Sequence, residues 1–352
     1  MTTAIVFDRF NLAQKLLSLK QNVAQAVTDE FFLAHPDWLV RYGERGRRFC
    51  TEDACYHIDF LAGAIEVDSP ASFADYARWV VRMLGARNIG VHSLDENFAQ
   101  LEKQFTALLL PVEIEIVSPY LAAGRTACAE PKSDAESQPT DGPLELARRT
   151  FIAAILAGHR QAALGVVEEA HRNGSSHVDI YVDVFSESLH AVGALWEQNK
   201  ISVAQEHMAT AITQYVIAMI YPRLVPTLPC RGSMVVTGVA GEQHQIGANL
   251  VADAMEENGW AVRFLGTNLP PSTVLSTLED TSADVLSIST TLIANLPAAA
   301  ELIKVVRGKL GERAPRIVLG GAAYRVAPHF AQEIGSVEAV PDLRGAIALL
   351  CP

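Results

Sequence analysis

Short apolar strands alternate with helical segments through the last third of the chain. Strands are predicted at residues 234–239, 261–265, 284–289, 316–319 and 338–340, and a final helix at 343–350. Strands of this length, each followed by a helical stretch, are typical of a parallel doubly wound sheet. Ligands of such sheets bind at the carboxyl ends of the strands. We therefore expect residues 229–352 to form a Rossmann-like α/β domain with its site in these loops.

The loop after the first strand contains Glu242, His244, Gln245, Ile246 and Gly247. We expect His244 to project from the carboxyl edge of the sheet, and Gly247 lets a flat ligand approach closely. Glu242 can accept the second ring N–H of His244, which raises the basicity of the imidazole as a metal ligand. This loop is the candidate metal-binding element.

Two further loops complete a recognisable pattern. Ser287 and Ser289 end the third strand, and Gly320 and Gly321 follow the fourth. Glu/Asp-x-His-x-x-Gly, then serine, then paired glycines resembles the motif set of cobalamin-binding domains. The resemblance implies that His244 replaces the cofactor's own dimethylbenzimidazole below cobalt. It also implies that a serine bonds the displaced base and that the glycines make room for the nucleotide tail.

Four apolar-periodic segments precede the sheet. They span residues 144–157, 160–173, 178–198 and 203–224. Helices of this length joined by short turns predict a four-helix bundle, which we assign to residues 144–228.

The bundle carries a second pattern. Trp196, near the end of its third helix, is followed after nine residues by Glu206 and His207, and Ser202 with Gln205 predicts a capping box between them. This spacing is similar to that of light-dependent adenosylcobalamin photoreceptors. The resemblance implies that Trp196 packs over the 5′-deoxyadenosyl group and that Glu206 and His207 hold its ribose. An indole excludes water from a Co–C bond, and a carboxylate can bind both ribose hydroxyls.

One position departs from the photoreceptor pattern. Those proteins have a histidine directly after the tryptophan, which can ligate cobalt after photolysis, whereas this chain has Glu197. A bis-histidine light state through that position is therefore excluded. His190 and His207, on neighbouring helices, are the alternatives for such a ligand.

The N-terminal region has helical patterning and almost no strand signal. Helical segments are predicted at residues 13–33, 52–66, 73–84, 94–110 and 112–121. They indicate an all-α domain of globin-like size over residues 1–124. The following residues, 125–143, are rich in proline, glycine and small polar side chains, which predicts a linker.

One of these helices carries a polar stripe. Cys50, Asp53 and His57 fall on the same helical face as Leu61 and Ala64. Buried polar groups need partners. A tetrapyrrole would supply them, through pyrrole N–H groups to Asp53 or His57, or through an iron to His57.

The whole chain resembles the photocobilins, which are cobalamin photoreceptors with an N-terminal globin-like domain that binds biliverdin. The resemblance is strongest over residues 144–352 and looser over 1–124. Arg45, Arg47 and Arg48, just upstream of the stripe, are the candidates to pair with the bilin propionates. We expect non-covalent attachment, with Cys50 as the cysteine that could form a thioether.

Composition narrows the class of protein. A chain of 352 residues implies two or three domains. A net charge of −12 without a sustained Lys/Arg block argues against nucleic-acid binding. The five cysteines are scattered, as is typical of reduced thiols in a cytosolic protein. With neither a signal peptide nor a long apolar run evident, we expect a cytoplasmic protein that does not contact membranes.

The leading interpretation is a non-enzymatic light sensor that carries adenosylcobalamin and biliverdin. We expect it to be a homo-oligomer, a dimer, and to signal through domain contacts or oligomeric state. A corrinoid methyl carrier for a methyltransferase stays open, although it needs an upper face open to that enzyme. A third interpretation keeps the cobalamin half and places haem in the N-terminal domain, with His57 or His92 on iron. The sequence does not predict the downstream signalling protein.

Overall fold

The structure is a computed structural model, and it describes residues 2–90, 92–129, 144–224, 231–335 and 338–352. The chain divides into two compact units, Met1–Ser133 with Leu292–Glu301, and Asp134–Thr291 with Leu302–Pro352. The bundle and the sheet, predicted as separate domains, therefore fall within one unit, apart from the short segment that belongs to the other.

Within the described residues, the N-terminal part of the first unit is helical. Its helices are α1 (Thr2–Ala34), α2 (Pro36–Glu66), α3 (Pro70–Gly85), α4 (His92–Leu108) and α5 (Pro111–Ala129). Proline opens α2, α3 and α5, where its missing N–H would be unpaired in any case. The helical character of this region is confirmed, whereas its globin-like arrangement stays a prediction.

Helix α5 extends further than the sequence pattern indicated. Residues 125–129, predicted as the start of the linker, form its last turn. The reason is apolar burial, since Ala127 and Cys128 both pack into the core. The remainder of the predicted linker, residues 130–143, lies outside the described residues.

The first unit also contains a segment that the sequence assigned to the sheet domain. The 3₁₀ turn Ile293–Asn295 packs against α2. The contact is close at Gly63, where a Cβ atom would collide with the carbonyl oxygen of Ile293. Any larger residue at this position would force the two backbones apart.

The second unit begins with the predicted bundle. Its helices are α6 (Glu145–Leu156), α7 (Arg160–Arg172), α8 (His177–Asp179), α9 (Glu187–Glu197) and α10 (Val203–Ile220). A π-helix, Ile180–Ser186, joins α8 to α9, so the third predicted helix is a single run with a π-helical middle. The predicted capping box is confirmed, because Ser202 and Gln205 bond reciprocally at the start of α10.

The rest of the second unit is an α/β fold. Its strands are β1 (Ser233–Gly238), β2 (Ala261–Phe264), β3 (Val285–Ser289), β4 (Arg316–Gly320) and β5 (Glu338–Ala339). The helices between and after them are α11 (Ile246–Glu257), α12 (Pro271–Thr281), α13 (Leu296–Leu310), α14 (Ala322–Val326), α15 (Phe330–Glu333) and α16 (Leu343–Leu350). The strands pair in parallel in the order β2-β1-β3-β4-β5, which confirms the doubly wound sheet.

The bundle and the sheet helices share one apolar core. Ile246, Leu250 and Ala254 of α11 and Leu343 of α16 are buried together with the inward residues of α6, α7, α9 and α10. This packing explains why residues 144–352, apart from Leu292–Glu301, form one compact unit. No described helix is long and apolar enough to cross a membrane.

Candidate functional site

The order of the strands brings the predicted site loops together. The chain reverses its direction of winding between β1 and β3, which is where doubly wound sheets open a ligand crevice. In register, Gly238 lies opposite Ser289, and Ser289 lies opposite Gly320. The loops that follow β1, β3 and β4 therefore leave the sheet side by side, as the sequence predicted.

The histidine loop is built around a buried carboxylate. The side chain of Glu242 is fully buried, whereas that of His244 is 55% exposed. His244 Nδ1 lies 2.6 Å from Glu242 Oε1, and the His244 backbone N–H donates to the same oxygen at 2.9 Å. The Thr291 backbone N–H donates to Glu242 Oε2 at 2.7 Å. Three donors thus hold the carboxylate that orients the imidazole.

The pKa values of Glu242 and His244 shift in the directions expected for an ion pair. Burial alone would raise the pKa of Glu242, but its hydrogen bonds from His244 and Thr291 lower it overall. The hydrogen bond to Glu242 raises the pKa of His244 against the opposing effect of burial, and the negative charges of Glu242 and Glu206 raise it further. Within the described residues Nε2 of His244 has no hydrogen-bond partner, so one ring nitrogen is anchored and the other is available.

A neighbouring loop supports the histidine loop. Asn268, after β2, accepts a hydrogen bond from the Gly241 N–H at 2.9 Å and donates its own N–H to the Val239 carbonyl at 3.2 Å. Asn268 adopts a φ of 59°, a left-handed conformation that asparagine tolerates better than most residues. An asparagine in a glycine-containing turn after β2 was a usable sequence signal for this role, but sequence reasoning missed it.

The remaining motif residues of the sheet differ in their surroundings. Ser287 and Ser289 are both half-buried on the same face of β3, and Gln245 and Gly247 are exposed. A Cβ on Gly247 would meet nothing within 4 Å, so open space lies beside it. Ile246 is buried in the apolar core, so only its backbone is left to contact a ligand.

The glycine pair after β4 packs against the end of β3. Gly321 has a φ of 109°, and a Cβ there would collide with the Thr290 carbonyl oxygen. A Cβ on Gly320 would meet only Val340, at 3.7 Å. Gly321 is therefore required by both conformation and space, whereas Gly320 keeps its surface free of a side chain.

The bundle residues form a polar cluster at the start of α10. Glu206 Oε2 lies 2.6 Å from His207 Nδ1, and the Thr210 hydroxyl donates to Glu206 Oε1 at 3.0 Å. The His207 side chain is 75% exposed, and Trp196 is half-buried at the end of α9. The negative charge of Glu206 helps to raise the pKa of His244, so the bundle motif lies near the sheet motif.

The polar stripe of α2 is only partly buried. His57 is buried, and its Nδ1 lies 2.8 Å from the Tyr76 hydroxyl. Burial lowers the pKa of His57 to about 3, so the imidazole is neutral. Cys50 is half-buried and Asp53 is exposed. Burial nevertheless raises the pKa of the Asp53 carboxyl to about 6, so the expectation that Asp53 faces pyrrole nitrogens stays a prediction.

The arginines upstream of the stripe lie at the surface. Arg45 and Arg48 are exposed, and their guanidinium groups lie 5.3 and 5.6 Å from the centre of the Phe49 ring. Arg47 instead forms an ion pair with Asp29 at 2.5 Å. The structure thus separates Arg47 from the other two candidates.

Two residues near His57 were missed by sequence reasoning. Tyr76 stacks on Phe60 with ring centroids 3.9 Å apart, besides bonding His57. Asn97 is buried, and within the described residues its Oδ1 has no hydrogen-bond partner. Neither had a signal in the sequence, because both sit on helices whose relative rotation only the packed structure defines.

The site combines a half-exposed imidazole with a buried carboxylate that anchors it, at the switch point of a parallel sheet. A helical bundle packs beside it. These features are those of a module that binds a corrinoid. Comparison with known families agrees. Residues 232–343 match the family described as B12 binding domain, and residues 147–221 match a second family with the same description. The C-terminal half of this chain is therefore a cobalamin-binding half.

Known proteins similar to this chain include corrinoid proteins and a methionine synthase. Dimethylamine corrinoid protein 1 of Methanosarcina acetivorans is 25% identical over 187 residues, which are 52% of this chain and 85% of that protein. Methionine synthase of Mycobacterium tuberculosis is 35% identical over 94 residues, which are 26% of this chain but only 8% of that enzyme. The monomethylamine corrinoid protein of Methanosarcina barkeri superimposes with a TM-score of 0.52 at 20% identity, covering 58% of this chain and 97% of that one. This last similarity supports the fold alone.

Proposed function

We propose that this protein is a light sensor, not an enzyme, which binds adenosylcobalamin in its second unit and biliverdin in its N-terminal helices. When bound, adenosylcobalamin supplies a Co–C bond that visible light breaks. The chain supplies the groups that hold the cofactor and the contacts that respond to its change. The protein acts as a homo-oligomer, a dimer, in the cytoplasm, and passes its signal to a separate protein.

The observation that carries this proposal is the Glu242–His244 pair. An available imidazole nitrogen, 55% of the side chain exposed, and a carboxylate behind the other nitrogen are what a lower cobalt ligand requires. Open space beside Gly247 and a bare surface at Gly320 fit a large planar group. The residues present therefore fit cobalamin, with His244 as the ligand and Ser287 or Ser289 toward the displaced base.

The adenosyl form is supported by the bundle cluster. Glu206 has its carboxylate ordered by His207 and Thr210 and lies within electrostatic reach of His244. A carboxylate held in this way can accept both hydroxyls of a ribose. Trp196, on the preceding helix, supplies the apolar cover.

Substitution of Glu206 tests the adenosyl pocket. Glu206→Ala should weaken adenosylcobalamin binding about tenfold, in keeping with the loss of a charged hydrogen bond, while methylcobalamin binding changes little. Glu187→Ala, on the same bundle, is the matched control and should leave both affinities unchanged. Equal binding of adenosylcobalamin by Glu206→Ala and wild type would place the pocket elsewhere.

Illumination tests the sensor itself. Green light should change the absorbance of the adenosylcobalamin-loaded protein and release the adenosyl group. Loss of a group packed between bundle and sheet is expected to alter their contacts and, through them, the oligomeric state. Light scattering before and after illumination measures this. A bound cofactor that survives illumination unchanged would rule out the light-sensing function.

The bilin proposal is supported by the polar residues around His57. The neutral imidazole of His57 and the unpartnered Oδ1 of Asn97 offer hydrogen-bonding groups inside an otherwise apolar region. Arg45 and Arg48 are exposed, so their guanidinium groups are accessible to the propionates, and Asp53 is exposed as well. Burial raises the pKa of Cys50, which disfavours the reactive thiolate and supports non-covalent binding.

The N-terminal chromophore is tested with two ligands. The full-length protein should gain a red absorbance band with biliverdin, and His57→Gln should shift or abolish it. His92→Gln is the control, because His92 is exposed at the start of α4. A Soret band with haem and no red band with biliverdin would favour the haem alternative instead, with His57 or His92 on iron.

A corrinoid methyl carrier is the second candidate function, favoured by the names of two relatives. Dimethylamine corrinoid protein 1 and methionine synthase are each similar to part of this chain. A carrier should bind methylcobalamin at least as tightly as adenosylcobalamin and should exchange its methyl group with a methyltransferase. The relative affinity for the two cofactors separates the candidates.

A further inference from the structure

A buried pair of hydroxyl groups lies next to the histidine loop, outside the motifs that define the site. The Thr290 hydroxyl lies 3.1 Å from the Tyr324 hydroxyl. Both side chains are buried, Thr290 completely and Tyr324 to all but 3%. Each buried hydroxyl has the other as its hydrogen-bond partner. Neither belongs to the motifs described above, so the role of the pair is open.

The surroundings of Thr290 show what the pair fixes. The Thr290 backbone N–H donates to the Gly320 carbonyl at 2.9 Å, and the Ala323 N–H donates to the Thr290 carbonyl at 3.3 Å. Gly321 presses against that carbonyl and tolerates no Cβ. Thr290 is therefore clamped by the loop after β4 through its backbone as well as its side chain.

The next residue transmits this clamp to the histidine loop. The Thr291 backbone N–H is the donor to Glu242 Oε2, at 2.7 Å, and the other carboxylate oxygen binds His244. Every substitution of Thr291 except proline keeps this backbone N–H, so the residues that hold Thr291 in place can tune its hydrogen bond. Burial raises the pKa of Tyr324, as does the nearby charge of Glu242, which keeps this phenol a hydrogen-bond donor.

We propose that Thr290 and Tyr324 are positioning residues for the lower ligand: their hydroxyl pair holds the Thr291 amide against Glu242 and thereby fixes the orientation of His244. This inference rests on the proposed role of His244 as a cobalt ligand. It also connects the glycine loop Gly320–Gly321 to the histidine, so that a change at the nucleotide-tail loop reaches the cobalt ligand through Thr290.

The test uses isosteric variants, Tyr324→Phe and Thr290→Val, in the full chain reconstituted with Co(II) cobalamin. Electron paramagnetic resonance measures the fraction of cobalt that is coupled to a histidine nitrogen, and ¹⁵N-histidine labelling identifies that coupling. Each variant should lower the ratio of coupled to uncoupled cobalt about fivefold, the effect of one weakened hydrogen bond. The double variant should add little, because the two hydroxyls form a single contact.

Tyr181→Phe is the matched control. Tyr181 is also a buried tyrosine of the second unit, and its hydroxyl donates to Asp253 at 3.4 Å, away from the histidine loop. It should leave the histidine coupling at the wild-type ratio. An equal loss in Tyr181→Phe would mean that the effect is general loosening of the unit, which would overturn the positioning role.

Hydrogen exchange of the Thr291 amide in the cofactor-free protein is the second readout. In Tyr324→Phe and in Thr290→Val, called the relay variants, this amide should exchange about fivefold faster than in wild type. In Tyr181→Phe it should exchange at the wild-type rate. This measurement decides the matter if a variant fails to load cobalamin. Wild-type exchange together with wild-type cobalt coupling in both relay variants would overturn the inference.

Different results would contradict the role of His244 as cobalt ligand and the positioning role of Thr290 and Tyr324. If wild-type protein binds cobalamin but shows no histidine coupling, His244 is not the ligand and the proposed function loses its lower site. Faster Thr291 exchange in the variants would then still show the relay to Glu242. If wild type shows the coupling and Tyr324→Phe and Thr290→Val keep it at the wild-type ratio, the proposed function stands and the positioning role falls.

Discussion

Two histidines, one in each unit, are held by opposite means. His244 is half-exposed and bonded to a buried carboxylate, and its pKa is raised. His57 is buried and bonded to a neutral phenol, and burial lowers its pKa to about 3. The anionic partner makes the imidazole of His244 a stronger electron donor. The neutral partner leaves His57 as an uncharged hydrogen-bonding group. The same side chain is thus prepared for different ligands by its partner and its burial.

The difference extends to what surrounds each histidine. Glu242 is fully buried, yet three N–H groups hold it, so its charge is stabilised in place. Around His57 the neighbours are aromatic, with the Phe98 ring centroid 5.2 Å away. A charge at His57 would have no compensating partner among its described contacts, whereas a charge at His244 would have one.

The largest expected effect is the loss of the cobalt ligand. His244→Ala should abolish the histidine coupling in the Co(II) spectrum while leaving the protein folded and able to bind the corrinoid. His171→Ala serves as the control, since His171 is exposed in the last turn of α7 and should keep the coupling. A His244→Ala protein with bound cofactor and an unchanged spectrum would contradict the assignment.

The buried histidine should make the first unit sensitive to acid. Because the pKa of His57 is about 3 in the folded state and near 6.5 when unfolded, the unfolded state binds its proton first. The stabilising effect is present above pH 6.5 and is lost as the pH falls toward 3, by about 1.4 kcal/mol per pH unit. At pH 4.5 wild type should have lost roughly 3 kcal/mol from this residue.

Chemical denaturation at pH 7.5 and 4.5 measures this loss. His57→Gln keeps a partner for Tyr76 but does not titrate, so its free energy of unfolding should change less between the two pH values. His171→Gln is the control, because His171 is exposed. Equal acid sensitivity in wild type and His57→Gln would show that His57 is not held in a neutral state.

The part of the site that the sequence could predict consists of side-chain motifs in loops that directly follow strands. Strand-to-helix loops at one sheet edge follow from the alternation of elements, and the strand register places Ser289 beside Gly238 and Gly320 at that edge. The Thr291 amide, Thr290 and Tyr324 were not predicted. A backbone donor has no residue signature, and the contact between Thr290 and Tyr324 depends on how tightly the β4 loop packs against β3.

The N-terminal helices show the opposite balance. Their positions followed from apolar periodicity, with predicted segments inside α1 to α5 apart from one or two terminal residues. Periodicity did not reveal that the first buried residue of α2 is Ala54. It also missed Asn97, because a polar residue on a helix gives no sign of whether the packed neighbour satisfies it.

Glu242→Gln sharpens the comparison between the histidines by removing the anion alone. In wild type the two carboxylate oxygens of Glu242 accept separately from His244 and from Thr291. Glutamine has a single acceptor oxygen, so it cannot satisfy both donors. Substitution of such a supporting residue typically costs 10-fold to 100-fold in metal affinity, and we expect the lower end here for corrinoid binding. Glu257→Gln, whose side chain pairs with His177, should not alter the cobalt spectrum. Wild-type affinity and spectrum in Glu242→Gln would mean that the charge behind His244 is unimportant.

The smallest effect compares two buried carboxylates. Asp253 is buried like Glu242, but its recorded partner is the Tyr181 hydroxyl at a long 3.4 Å, and burial together with the charge of Glu256 raises its pKa to about 6. A carboxyl group whose folded pKa is raised destabilises the fold progressively as the pH rises from its unfolded pKa, about 3.9, to its folded pKa, and the full cost is present above the folded value. Asp253→Asn should therefore increase the free energy of unfolding by about 1 kcal/mol at pH 7.5 and by less at pH 4.5. Denaturant titrations at the two pH values give the difference. A decrease in stability at pH 7.5 would show that the fold uses the Asp253 charge, and that burial alone does not distinguish it from Glu242.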